Sequence, residues 1–174
     1  MIGLPGIRQG AGGIPETFSE RIRKGEDLML HEKSCGAVVF RRADHKIYIL
    51  MIRHKPGGHR SFPKGHMEKN ETEYLTAIRE VTEETGVQPV LRSDFRETVH
   101  YHPMAGVDKE VVYFLSETYQ TRIRPREGEI AEVEWVDAEA VDRTLLYEND
   151  RTVYRAAKKK IDAILAAPRR AGKR

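Results

Sequence analysis

Three carboxylates stand at i, i+3 and i+4 in the stretch Glu80 to Glu84. If that stretch is helical, a rotation of about 100° per residue puts Glu80, Glu83 and Glu84 on one stripe. Like charges so placed repel, by about 0.2–0.5 kcal/mol per pair. A divalent cation relieves such a cluster, and an all-oxygen donor set suits Mg²⁺ or Mn²⁺ rather than Zn²⁺. Taken alone, the triplet has a second reading, a solvated acidic helix face. On the same wheel Tyr74, Leu75, Ile78 and Val81 fall opposite the acids, which predicts one core face and one charged face.

The neighbouring residues separate the two readings. From Gly65 the chain follows G-x5-E-x7-R-E-V-x-E-E-x-G-V, with Gly65, Glu71, Arg79, Glu80, Val81, Glu83, Glu84, Gly86 and Val87 at the fixed positions. Seven fixed polar or glycine positions coincide by chance on the order of once in 10⁸ windows at average residue frequencies. The pattern resembles the Nudix box at every fixed position. The resemblance covers roughly residues 33–166 and implies an α/β fold, the Nudix-type α/β/α sandwich with a mixed β-sheet. It implies a metal-dependent hydrolase that cleaves a nucleoside diphosphate linked to another group. By the same resemblance Glu80 and Glu84 are metal ligands, Glu83 is a ligand or the general base, and Gly65 offers a backbone carbonyl. Glu71 and Arg79 become a structural ion pair that fixes the loop onto the helix, with Gly86 as the helix stop. A pyrophosphate carries several negative oxygens that repel a nucleophile, which explains why such a site needs carboxylates enough to hold dications beside a polyanion.

The residues before the box narrow the substrate. Phe62-Pro63-Lys64-Gly65-His66 resembles the start of the box in diadenosine tetraphosphate, or bis(5′-nucleosyl)-tetraphosphate, hydrolases and in diphosphoinositol polyphosphate hydrolases. Likeness to the first group puts His59 and Lys64 on the phosphate chain and Lys109 against the polyphosphate. It puts Glu129, six residues before Trp135, near the metals as a ligand and second candidate base. Tyr147 stands where a ring would stack on adenine. The expected reaction is in-line attack of water on diadenosine tetraphosphate, releasing ATP and AMP. Two alternatives remain: a Nudix hydrolase of nucleoside triphosphates, diphosphoinositol polyphosphates or RNA 5′ ends, and a non-catalytic nucleotide-sensing module. The intact Glu80, Glu83 and Glu84 argue against the sensor.

These residues need a scaffold, and the chain supplies its pattern. Two runs rich in Val, Ile and Tyr, 35–40 and 46–53, flank the polar loop 41–45 and predict a β-hairpin. Further strands are expected at 96–102, 110–116 and 132–136, with helices at 71–85, 138–145 and 150–166. This order predicts a sheet covered on both faces. Five glycines within residues 1–13 mark 1–30 as a loosely attached extension, with a short helical segment conceivable at 16–28. The domain is expected over 31–167, followed by a basic tail at 168–174.

Composition sets the outer limits. The chain has 174 residues and a formal charge of +3, but between 31 and 168 it carries 22 basic against 23 acidic residues. The excess sits in the tail, so nucleic-acid binding is not expected of the domain. A single cysteine, Cys35, cannot make an internal disulfide; it reads as a core residue and points to a reducing cytoplasm. No apolar run reaches the length of a membrane helix. His100 and His102 share a strand face without a third ligand and make a weak metal site.

Overall fold

The computed structural model describes residues 29–55 and 58–167. The glycine-rich start, the helical segment considered at 16–28 and the basic tail lie outside the described residues. Ten elements follow in order: β1 (Leu30–Ala43), β2 (Lys46–His54), β3 (Arg60–Ser61), β4 (Lys64–His66), α1 (Glu73–Thr85), β5 (Leu91–Met104), β6 (Val107–Glu117), β7 (Ile130–Asp137), α2 (Ala138–Thr144) and α3 (Glu148–Ala166).

The strands form one mixed sheet of order β3-β2-β1-β6-β5, with β7 on β2 and β4 on β1. Among the described strand pairs only β1 and β6 run parallel, in register from Leu30↔Val107 to Phe40↔Glu117, and an isolated parallel bridge joins Arg60 to Leu145. Leu30 is thus already in the sheet, one residue earlier than the expected domain start. The other edge of β1 is shared. Its first half, Ser34–Gly36, pairs with β4, and its end, Phe40–Ala43, pairs with β2. At that division β4 leaves the neighbourhood of β2 and carries Lys64 and Gly65 past the N-terminal half of β1.

Alternation along β1 supplies both faces of the core. Val38 and Phe40 join Ile49, Met51, Phe62, Tyr113, Leu115 and the buried sides of α2 and α3. Cys35, Ala37 and Val39 join Leu50, Ile52, Val112, Phe114 and, from α1, Ala77 and Val81. Strands buried on both faces read as continuous apolar runs, as these do. Each large side chain so buried contributes about 1.5–3 kcal/mol. The result is the α/β/α sandwich the resemblance implied.

Three expectations change in detail. The polar loop 41–45 tightens to the two residues Asp44 and His45, both at positive φ (49° and 62°), as a two-residue hairpin turn requires. The third strand begins at Leu91, five residues early, with only Leu91 and Phe95 buried in its first half. The α1 wheel is also rotated. Its buried arc runs through Thr76, Ala77, Glu80, Val81, Glu84 and Thr85, while Leu75 is 54% exposed and Ile78 half-buried. The wall that α1 faces includes β4, whose glycine leaves room for carboxylates and none for a large apolar stripe. Among the described residues no helix is long and apolar enough to cross a membrane.

Candidate active site

Helix α1 starts where the Thr72 hydroxyl accepts from the Leu75 amide at 3.2 Å and stops at Gly86, whose φ of 72° is left-handed. Between these caps Glu80 and Glu84 point inward, 7% and 5% exposed. Each has a dedicated neighbour. Oε2 of Glu84 accepts from the backbone amide of Lys64 at 2.9 Å. The Glu80 carboxylate fills the space beside Gly65: a Cβ there would lie 2.1 Å from Cδ of Glu80. Any side chain at position 65 would therefore have to displace the Glu80 carboxylate, quite apart from backbone conformation.

Arg79 organises the loop before the helix. Its Nε and Nη2 donate to the two oxygens of Glu71 at 2.7 and 2.8 Å, its Nη1 to Glu80 at 2.6 Å, and Nη2 also to the His66 carbonyl at 2.9 Å. Glu71 further accepts from the Thr76 hydroxyl (2.7 Å) and the Glu68 amide (3.1 Å). Arg79 and then Thr76 hold the Glu71 carboxyl down to about 2. Glu84 moves the other way: burial pushes its carboxyl up to about 7, against the pull of the Lys64 amide and charge.

Lys64, Gly65, Arg79, Glu80 and Glu84 line a polar cleft of about 510 Å³ together with His54, His66, Arg126 and Glu129. Glu83 and Glu129 sit on its exposed rim. Arg126 bridges them, Nη1 lying 3.1 Å from Glu83 and 3.4 Å from Glu129. A second cleft of about 500 Å³ adjoins it, lined by His59, Tyr101, Tyr113, Tyr147, Asn149 and Asp150 among others. His59 stacks on His54 at 4.6 Å between centroids and meets the Tyr147 ring edge-on at 5.7 Å. Burial, then Lys64 and His59, push the His54 imidazole down to about 4. Lys64 lines both clefts, and burial lowers the pKa of its ammonium.

The structure thus gathers Gly65, Glu80, Glu83, Glu84, Glu129 and Lys64 around one cleft, and His59, Tyr147 and Lys64 around the next. Lys109 lines neither. Its side chain is 11% exposed and bonded to Glu32 (3.0 Å) and to Nε2 of His66 (2.9 Å), so it stands behind His66. Glu71 and Arg79 tie the loop to the helix, and Gly86 ends the helix.

The donor chemistry suits a hard dication: carboxylate and carbonyl oxygens only, two of the carboxylates buried. Among the described residues, however, no three His, Cys, Asp or Glu converge closely enough to ligate an ion as they stand. Arg79 and Arg126 occupy oxygens of Glu80 and Glu83, and ligation requires those side chains to turn. His54, Arg126 and Asp150 escaped the sequence reading, which took His66 only as part of the motif before the box. Only Arg126 left a usable signal, a base three residues before Glu129 in a loop that also carries Arg122 and Arg124.

Known proteins place this geometry in context. The profile of the NUDIX domain matches residues 30–157. A Mycobacterium tuberculosis protein provisionally called mutator protein MutT4 is 31% identical over 82% of this chain and 61% of its own length. A Caenorhabditis elegans bis(5′-nucleosyl)-tetraphosphatase [asymmetrical] is 35% identical over 48% of this chain and 63% of its own. The chain thus spans less than two thirds of these two curated relatives. The solved binary complex of a C. elegans Ap4A hydrolase superposes with a TM-score of 0.69 at 26% identity, over 76% of this chain and 98% of that one.

Proposed function

The chain belongs to the Nudix domain family, and on that footing we propose that it is a pyrophosphohydrolase of dinucleoside polyphosphates, cleaving diadenosine tetraphosphate or a close analogue asymmetrically into a nucleoside triphosphate and a nucleoside monophosphate. The observation that carries this reading is that a single lysine, Lys64, lines both the carboxylate cleft and the ring-walled cleft. A phosphate chain with a nucleoside at its end is the ligand that uses both. The relatives named bis(5′-nucleosyl)-tetraphosphatase and Ap4A hydrolase support the same substrate class.

Gly65, Glu80, Glu84, Glu83 and Glu129 would hold a divalent cation, Mg²⁺ or Mn²⁺ by donor type. When bound, such a cation neutralises phosphate oxygens and acidifies a water. The chain's own groups do the rest. Glu83 or Glu129, exposed on the rim, takes the proton as water attacks phosphorus and the P–O bond to the leaving phosphate breaks. Arg126 lies within reach of both and biases which of them is free to accept it. The Lys64 ammonium, buried between the two clefts, stabilises charge on the chain as it passes from one to the other. His59 and Tyr147 flank the nucleoside.

The test is a panel of dinucleoside tetraphosphates, nucleoside triphosphates, nucleotide sugars and inositol pyrophosphates with Mg²⁺, the products resolved by chromatography. Dinucleoside tetraphosphates should give the highest kcat/KM, with unequal products. Preference for triphosphates or inositol pyrophosphates, or nucleotide binding with no turnover at all, would overturn the reading.

A further inference from the structure

The ring-walled cleft holds a charged group that hydrolysis does not use. Asp150, in the first turn of α3, is 8% exposed and lines the cleft beside Asn149. Among the described residues its carboxylate receives one hydrogen bond, from the Tyr113 hydroxyl at 3.5 Å, the outer limit of such a contact. Among those residues no cationic nitrogen lies within 4.0 Å of it. Burial pushes its carboxyl up, and Lys64 and His59, farther off across the cleft, pull against that rise. A buried carboxylate with no ion pair in contact calls for an explanation. Here the explanation lies in front of it, a cavity of about 500 Å³ whose walls carry His59, Tyr101 and Tyr147.

We propose that Asp150 reads the base edge of the nucleoside bound in this cleft and makes the cleft prefer guanine to adenine. The inference rests on the nucleotide-hydrolase reading above and sharpens its substrate. An ionised carboxylate only accepts hydrogen bonds. Guanine presents N1–H and its exocyclic amino group side by side, two donors that match the two oxygens of Asp150. Asn149 has an amide donor to offer O6. Adenine in the same place presents one amino donor and the N1 lone pair, and that lone pair would face a negative charge. The ring walls make no such distinction, because every base has a π-face to stack. Discrimination therefore falls on the one buried group that is acceptor-only. A site built to bond a polar edge rejects the analogue that lacks it far more strongly than stacking or size can.

The experiment uses the full chain with Mg²⁺ and three substrates: Ap4A, Gp4G and the mixed Ap4G. Wild-type kcat/KM for Gp4G should exceed that for Ap4A by roughly 10- to 100-fold, the range of one good bidentate base contact. Ap4G carries an internal control. Cleavage gives either ATP with GMP or GTP with AMP, and a cleft that reads its base should skew this ratio far from one. Asp150→Asn, which offers a donor beside an acceptor, should lose Gp4G activity, gain relative activity on Ap4A and bring the two product pairs toward equality. Asp150→Ser, with a melting curve for each variant, guards against a folding defect. Equal rates on Ap4A and Gp4G with an even Ap4G split would overturn the proposal. So would an Asp150→Asn that lowers both rates alike and leaves the split unchanged, since Asp150 would then serve Lys64 or the sugar hydroxyls. Calorimetric binding of GDP against ADP reads the base preference without turnover. If none of the three substrates is cleaved, the hydrolase reading falls, and a tenfold tighter GDP still supports the base assignment while equal binding sinks it.

Discussion

Replacing Glu84 with Gln should make the metal-free protein more stable and the enzyme inactive. The carboxyl of Glu84 is held inside the wall of the cleft, and burial raises it from 4.5 to about 7. A carboxyl whose folded pKa lies above its unfolded value favours the native state below pH 4.5. That advantage is lost as the pH rises through 7. The move from 4.5 to about 7 corresponds to about 3 kcal/mol. Gln keeps an oxygen to accept from the Lys64 amide but carries no charge to desolvate. In EDTA at pH 8 the variant should therefore exceed wild type by about 2 kcal/mol, after allowing for a weaker, uncharged hydrogen bond. At pH 4.5 the two should be nearly equal. The assay is urea unfolding in EDTA from pH 4.5 to 8, repeated with Mg²⁺. The cation should stabilise wild type increasingly with pH, by mass action on the folded state, and Glu84→Gln far less. Turnover of diadenosine tetraphosphate should fall by about a thousandfold. A variant less stable than wild type at pH 8 without metal would show that Glu84 is a structural anchor. Near-normal Mg²⁺-dependent hydrolysis would show that the cleft is scaffold.

Gly65→Ala should cost about 1–3 kcal/mol, because its Cβ would fall 2.1 Å from Cδ of Glu80, and about a hundredfold in kcat as that carboxylate is displaced; unchanged melting and turnover would refute the close approach. Glu83→Gln and Glu129→Gln separate the two candidate bases: the true base loses turnover more than Mg²⁺ affinity, and its loss removes one limb of the pH–rate profile. Glu71, held to about 2 by Arg79, contributes stability above pH 4.5 that disappears as the pH falls toward 2. Glu71→Gln should therefore be destabilising at pH 7 and lack that acid-side slope, as unfolding curves from pH 2 to 7 would show.

Much of the scaffold could be read from the chain because it rests on local regularity. The apolar run at 35–40 and the periodic segment ending at Gly86 each state their own geometry, and the helices at 138–144 and 148–166 begin within two residues of expectation. What escaped is non-local. β3 and β4 have two and three residues and show no period, yet β4 places Lys64 and Gly65. Lys109 sits at the expected strand start, but Glu32, 77 residues away, and His66 claim its ammonium. No spacing rule foresees that register. Asp150 looks like any acid in the first turn of a helix, and only the packing of Tyr113 beneath it reveals a buried carboxylate. Glu73, outside the triplet, seems idle in sequence but receives Arg96 through both guanidinium arms at 2.8 Å and Lys33 at 2.5 Å.

The rotated wheel of α1 explains why the box has the length it has. Two carboxylates cannot enter a sandwich wall on their own account, since desolvation opposes each of them. Every further fixed position answers that opposition. Gly65 vacates the volume that Glu80 fills, and the amide of its neighbour Lys64 satisfies Glu84. Arg79 neutralises Glu80, Glu71 holds Arg79 by two bonds, and Gly86 ends the helix before another turn is committed. Glu83 alone among the three acids stays on the rim, open to solvent. A chain with the triplet but without Gly65, Glu71 and Arg79 would turn its helix so that Leu75 and Ile78 packed inward. It would keep an acidic surface and lose the site.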